Sequence, residues 1–95
     1  MKHELKIWTC YFERVLDGTK TFEVRETYDR SFQKGDRVLL REFDPNYQLY
    51  DIETASYKKI GKFTGRESEF FIGYVLPIGE NKAVFSLLKS MEIIP

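Results

Sequence analysis

The sequence lacks the features that mark several classes of protein. It has one cysteine, Cys10, so no disulfide can form within the chain, and it has no paired Cys/His spacing suited to structural zinc. No stretch approaches the ~20 apolar residues needed to cross a bilayer, and the first residues, MKHELKIW, lack the apolar run of a signal peptide. We expect a cytoplasmic protein without membrane contact, metal or cofactor.

The chain also lacks an excess of charge of either sign. Fifteen basic and fifteen acidic side chains cancel, so the surface as a whole does not attract polyanions over long range. Six basic and four acidic residues lie between positions 20 and 41, which makes that third of the chain mildly basic. Any site for nucleic acid is therefore expected to be a local patch.

What is present is enough apolar material for one compact core. The chain has 95 residues, of which 42% are hydrophobic and 16% aromatic. A chain of this length builds one core rather than two, so we predict a single domain over residues 1–95. Most of the aromatic residues are expected in that core. Trp8 could cap the core or offer a stacking face, and we assign it to the core.

The first third of the chain predicts a strand, a helix and a second strand. Polar and apolar residues alternate from His3 to Trp8, as in a strand. Helical spacing then extends over residues 9–17, with Thr9 as the expected N-cap and Gly18 in a left-handed turn. In TKTFEVRE the period becomes two, so Glu23 and Arg25 share a face opposite the apolar residues.

The rest of the chain reads as strands separated by turns and one long loop. RVLLREF is an apolar-rich strand, whereas residues 44–65 show no sustained period and predict an extended, partly mobile loop. Three β-type runs follow, ESEFFIGYVLP, NKAVFSLLK and SMEIIP. The predicted fold class is mainly β with a short helix, with enough strands to close a small barrel.

The stretch GTKTFEVRE allows two interpretations of its charges. In the first, Glu23 and Arg25 lie on the solvent face of a strand, and Arg41 crosses to pair with one of them in a surface pair worth at most ~1 kcal/mol. In the second, Lys20 and Arg25 donate to a ligand while Glu23 orients them or accepts from an amino group. Arg41 lies in an apolar strand, so we expect it partly buried and paired with Glu23. His3 is expected to be structural.

The same stretch resembles a known family. Gly18, Lys20, Glu23 and Arg25 match the G-x-K-x-x-E-x-R signature of ASCH domains, and HELKIW, YFERVLDG, YDRSFQKGDRVLLREFDP and FTGRE resemble a bacterial and phage subgroup of ASCH-like domains. The resemblance implies a PUA-like β-barrel of the ASCH type that binds RNA, a nucleotide or a modified nucleoside. It implies a cleft and a rim lined by Lys20, Glu23, Arg25, Arg30, Arg41, Thr64 and Arg66, with His3 and Lys6 as further contributors.

Two other functions stay open. Some small ASCH proteins are amidohydrolases acting on acetylated cytidine, but they carry a threonine three residues after the motif lysine, where this chain has Glu23. Lys20 and Glu23 would then have to act as an acid/base pair on water. Alternatively, the protein is an interaction module of a phage or mobile element, with Tyr47, Tyr50 and Tyr57 as its contact surface.

Overall fold

A computed structural model describes residues 1–89 of the chain. In this part the protein has one helix and seven strands: β1 Lys2–Trp8, α1 Thr9–Leu16, β2 Phe22–Glu26, β3 Arg37–Asp44, β4 Gln48–Asp51, β5 Ser56–Lys59, β6 Lys62–Pro77 and β7 Lys82–Leu88. The predicted mainly β fold with a short helix is confirmed. The last predicted run, SMEIIP, lies outside the described residues.

Five of the strands form one curled sheet in the order β1-β3-β6-β7-β2. Strands β1 and β3 are parallel, and every other neighbouring pair in this sheet is antiparallel. The sheet curls into a half-barrel, which fits a β-barrel-like fold. Its two edge strands, β1 and β2, come together where Arg25 Nη2 donates to the carbonyl oxygen of Lys6 at 2.9 Å. We call this meeting of the two edges the seam.

The core lies on the concave face of the sheet because apolar side chains alternate along its strands. Buried side chains recur at every second position of β1, β3 and β7, and Phe12 and Val15 of α1 pack onto them. Phe85 is 1% exposed and stacks against Phe32 with a centroid separation of 4.7 Å. The fold thus places α1 against one end of the sheet, next to the seam.

Helix α1 ends as predicted but begins differently. Gly18 has φ +84°, the left-handed conformation expected after the helix, and the Asp17 N–H donates to the Glu13 carbonyl at 3.0 Å. The N-cap is Trp8, with no side-chain cap, rather than Thr9. Thr9 is already helical, and its hydroxyl points to the Phe43 carbonyl oxygen at 3.5 Å, so it cannot cap the first turn.

The prediction of a long loop over residues 44–65 is wrong, because most of this segment is strand. Strands β4 and β5 form an antiparallel hairpin, and β6 already begins at Lys62. Tyr50 and Tyr57 face each other across the hairpin with ring centroids 5.2 Å apart. The alternation was hard to detect because apolar residues of this hairpin remain exposed, so no buried face marks the period.

The β4–β5 hairpin makes the molecule elongated. Within the described residues it packs against no other helix or strand, and the principal extents are 61 × 30 × 22 Å. The radius of gyration is 16.3 Å, compared with about 13 Å for a compact domain of similar length. We refer to residues 48–59 as the arm.

Candidate functional site at the seam

Strand β2 turns its charged face inward. Glu23 is only 4% exposed, whereas the apolar residues on either side, Phe22 and Val24, are 45% and 44% exposed. The surface-pair interpretation is therefore wrong for Glu23, although its sharing of a face with Arg25 is confirmed. A buried carboxylate is costly unless it is paired and hydrogen-bonded. Its partners therefore decide what this face can do.

Two cations hold the Glu23 carboxylate, one on each oxygen. Lys20 Nζ donates to Oε1, and Arg25 Nε donates to Oε2 at 2.9 Å. Lys20 Nζ also donates to the Phe22 carbonyl at 2.6 Å. The same arginine spans the seam through its bond to Lys6, so the ion cluster also ties β2 to β1.

The spacing of the motif follows from this geometry. Gly18 supplies the left-handed turn that returns the chain after the helix, and the Lys20 N–H then donates to the Arg14 carbonyl at 2.9 Å. Lys20 is thereby anchored to α1 at the entry to β2. Arg25 lies two residues after Glu23 on the same face of the strand, so the carboxylate sits between the two cations.

A cleft of about 390 Å³ opens above this cluster at the seam, a size within the range of small-ligand sites. Its lining comes from β1, the start of α1, and the segment from Lys20 to β2. We call it the seam cleft, and it is lined by Lys6, Ile7, Trp8, Tyr11, Lys20, Glu23, Val24 and Arg25.

Two aromatic side chains face solvent at the wall of the seam cleft. Trp8 is 49% exposed and Tyr11 is 51% exposed. The assignment of Trp8 to the core is therefore wrong: it is the last residue of β1, and its neighbour Ile7 takes the inward position instead. Exposed indole and phenol rings offer stacking surfaces for a planar ligand.

Comparison with known proteins identifies the family. Residues 2–89 match the model described as "Domain of unknown function (DUF3850)". The chain belongs to the DUF3850 family. It is also 32% identical to the "Uncharacterized 12.9 kDa protein in GpA 3'region" of Escherichia phage P2, over 95 residues that cover 98% of this chain and 72% of the phage protein. The family match spans every helix and strand of the DUF3850 chain described above.

The DUF3850 chain has a second buried carboxylate, Glu42, which the sequence analysis did not single out. Arg66 donates to both of its oxygens at 2.8 Å, and the Thr64 hydroxyl donates to Oε1 at 2.5 Å. Arg66 also donates to Glu13 of α1. Hydrogen bonds from Arg66 outweigh the effect of burial and, with Thr64, lower the pKa of Glu42 to about 2.

The structure divides the seven predicted site residues among different places. Lys20, Glu23 and Arg25 meet in the seam cleft, whereas Thr64 and Arg66 bind Glu42 and do not line that cleft. Arg30 contacts Asp29 at 3.7 Å and borders a neighbouring depression.

Arg41 is not in the cleft and does not pair with Glu23. It lies on the convex face of β3, 3.9 Å from Glu67, with its guanidinium 4.5 Å from the Phe63 ring centroid. The prediction identified the wrong member of the pair Arg41-Glu42 as buried. Neighbouring residues of a strand point to opposite faces, and it is Glu42 that faces the core.

His3 takes the structural role expected of it. Its Nε2 lies 2.8 Å from Asp36 Oδ2, and its ring lies 4.7 Å from that of Phe32. Burial raises the pKa of Asp36, but the hydrogen bonds with His3 and with the Gln33 N–H outweigh it and hold that pKa below its ordinary value.

Tyr11 is one of the cleft residues that sequence reasoning missed, together with Ile7, Trp8 and Val24. Its helical spacing placed it with the apolar residues of α1, of which only Phe12 and Val15 are buried. Within residues 1–89, no cluster of His, Cys, Asp and Glu has a metal-binding arrangement, and no helix is long and apolar enough to cross a bilayer.

Proposed function

We propose that this DUF3850 domain binds RNA, or a nucleotide-sized ligand, in the seam cleft, and that its fold is a PUA-like barrel of the ASCH type. The observation that carries the proposal is the cleft itself, which combines two exposed aromatic rings with two cations oriented by one buried carboxylate. Aromatic rings and cations are what a nucleotide requires, for its base and its phosphate or carbonyl oxygens.

In this proposal Lys20 and Arg25 supply the donors. Lys20 Nζ makes two hydrogen bonds in the described structure, which leaves one proton, and Arg25 keeps N–H groups beyond those bonded to Glu23 and Lys6. Both Glu23 oxygens already accept from a cation, so the carboxylate serves to orient the donors rather than to read an amino group. Trp8 and Tyr11 provide the stacking surface.

The first experiment removes a stacking ring without touching the ion cluster. Tyr11→Ala is expected to weaken binding of a nucleotide panel by roughly 10-fold or more, since base–aromatic stacking contributes about 1–3 kcal/mol per base. The matched control is Tyr74→Ala, which removes another exposed tyrosine, on β6, that does not line the seam cleft. Binding is measured by calorimetry and folding by thermal unfolding.

Equal affinities of the two tyrosine variants would contradict the proposal, as would absence of binding by the wild-type chain. Acetylated cytidine belongs in the panel, because its hydrolysis would favour the amidohydrolase instead. The geometry gives that alternative little support: the acyl-accepting hydroxyl is replaced by Glu23, whose carboxylate is bound to Lys20 and Arg25.

The arm favours a second candidate function, that of a protein-interaction module. It extends from the sheet and exposes large side chains, among them Leu49, Tyr50, Ile52 and Tyr57. Exposed apolar side chains grouped on one projecting hairpin are typical of contact surfaces. The two candidates use separate parts of the molecule, so one chain can serve both.

A further inference from the structure

The backbone of the two edge strands, and not only their side chains, faces the seam cleft. Two backbone bonds flank β2: the Leu87 N–H of β7 donates to the Thr21 carbonyl at 2.9 Å, and the Thr27 N–H donates to the Asn81 carbonyl at 2.8 Å. In an antiparallel ladder every second residue of a strand hydrogen-bonds to the neighbouring strand. Glu23 and Arg25, which lie between Thr21 and Thr27, therefore also bond to β7. The N–H and C=O groups of residues 22, 24 and 26 therefore point away from β7, toward the seam.

Strand β1 presents its other edge in the same way. The Arg37 N–H donates to the Met1 carbonyl at 2.9 Å, which fixes the alternation of the parallel pair β1–β3. The even-numbered residues of β1, including Lys6, then point their backbone groups toward the seam. Two side-chain bonds agree with this assignment: Lys20 Nζ reaches the Phe22 carbonyl, and Arg25 Nη2 reaches the Lys6 carbonyl.

These two bonds leave one residue in the cleft with both its backbone donor and its backbone acceptor unbonded. The Phe22 and Lys6 carbonyls are already occupied. Val24 lines the cleft, and within residues 1–89 its N–H and C=O have no hydrogen-bond partner. An added peptide strand would need a run of free groups along the edge, which the Lys20 and Arg25 bonds interrupt. A small planar ligand needs only the one residue.

The polar groups of the cleft are rich in donors. The donors are the Val24 and Lys6 N–H groups and the remaining protons of Lys20 and Arg25. Of the three edge carbonyls at the cleft, those of Lys6, Phe22 and Val24, only that of Val24 is not already bonded, and the Tyr11 hydroxyl can donate or accept. The complementary ligand edge has two acceptors around a single donor. Among nucleobases this is the imide edge of a dioxopyrimidine, in which an N–H lies between two carbonyls.

We propose that the seam cleft selects uracil-type bases, whose ring N–H donates to the Val24 carbonyl while a flanking base carbonyl accepts from the Val24 N–H. The other base carbonyl accepts from Lys20 or Arg25, and the ring stacks on Trp8 or Tyr11. This inference rests on the proposed function, since it names the base that the nucleotide site reads.

The first test compares uridine monophosphate with its 3-methyl derivative on the wild-type chain. The methyl group removes the one donor and keeps the ring, so we expect affinity to fall by roughly 10-fold or more, because a buried acceptor is left unpaired. Cytidine, adenosine and guanosine monophosphates should also bind more weakly than uridine monophosphate. Calorimetry measures these affinities, and fluorescence of Trp8, the single tryptophan of the chain, reports on stacking.

The second test removes the backbone donor itself. Val24→Pro deletes an N–H that the β-sheet does not use, a substitution that edge strands tolerate, and should weaken uridine monophosphate binding by roughly 10-fold. Glu26→Pro is the matched control, because it removes another N–H of the same edge at a residue outside the cleft.

The outcomes separate this inference from the function on which it rests. If no nucleotide binds the wild-type chain, both fail. If nucleotides bind but the 3-methyl derivative binds as well as uridine monophosphate, the inference fails and the nucleotide site stands. Because that comparison uses only the wild-type chain, it decides the question even if Val24→Pro does not fold.

Discussion

Glu23 and Glu42 are two buried carboxylates on the inner face of one sheet, and each is neutralised by arginine. They differ in the second group to which the arginine donates. Arg25 continues across the seam to Lys6 and borders a cleft, whereas Arg66 continues to Glu13 and joins β6 to α1. At the scale of single residues, the first cluster borders an open cleft and the second holds the helix to the sheet.

Removal of Arg66 should therefore destabilise the fold. Arg66→Ala leaves the buried Glu42 without its main partner, and we expect a loss of about 3 kcal/mol in the free energy of unfolding. The matched control is Arg41→Ala, which breaks an exposed pair with Glu67 and should cost less than about 1 kcal/mol. Denaturant unfolding at neutral pH measures both, and equal losses would show that the Glu42 cluster has no special structural role.

The same cluster predicts a dependence of stability on pH. Hydrogen bonds from Arg66 lower the pKa of Glu42 from 4.5 to about 2 in the folded protein, so its contribution is present above the unfolded pKa and disappears as the pH falls through the folded one. We expect the melting temperature to drop between about pH 4.5 and pH 2. The drop should be smaller in Glu42→Gln, and identical profiles would exclude Glu42 as a source of it.

At the scale of elements, the junction between the arm and the sheet depends on close packing at Gly61. Its φ is +69°, and a Cβ at this position would collide with the ring of Phe43. That ring packs edge-on against Phe63 at 5.1 Å. The turn out of the arm thus requires glycine for two reasons, its backbone conformation and the space it leaves for an aromatic pair.

Gly61→Ala should disturb this junction more than a matched glycine substitution elsewhere. Gly35 also has a positive φ, +90°, but a Cβ there would meet no atom within 4 Å. Gly35→Ala should therefore cost only the backbone strain, about 1 kcal/mol, while Gly61→Ala adds displacement of Phe43. Thermal unfolding gives the difference, and NMR chemical shifts of Phe43 and Phe63 should move in Gly61→Ala alone. Unchanged shifts would contradict the proposed contact.

At the scale of the whole molecule, the half-barrel and the arm are separable. Because the arm packs against no other described helix or strand, replacing residues 48–59 with a short turn should leave the melting temperature within a few degrees of the wild-type value. Nucleotide binding at the seam should also be unchanged, whereas any protein partner bound through Tyr50 and Tyr57 should be lost. A large loss of stability would show that the arm is part of the core.

Much of the fold could be predicted from the sequence because it follows from local patterns. Helix α1, the turn at Gly18 and the alternation of β3 and β7 depend on residues close together in the chain, and their buried faces are clear. The two strands of the arm were not predicted because their apolar side chains stay exposed, so no alternation of buried and exposed residues marks them. The period of two was enough to predict that Glu23 and Arg25 share a face, whereas their grouping with Lys20 in a cleft was expected only from the family resemblance.

The sequence by itself determined that this chain is mainly β with a short helix, and that Glu23 and Arg25 share a face of β2. Only the tertiary structure decided that this charged face turns inward, because the period of a strand separates two faces but does not tell which of them the curled sheet encloses. Tertiary structure likewise brought Lys6, Trp8 and Tyr11 next to the motif, and it placed Glu42 rather than Arg41 in the core. Contacts between residues distant in the chain depend on how the sheet closes, and no local period encodes that closure.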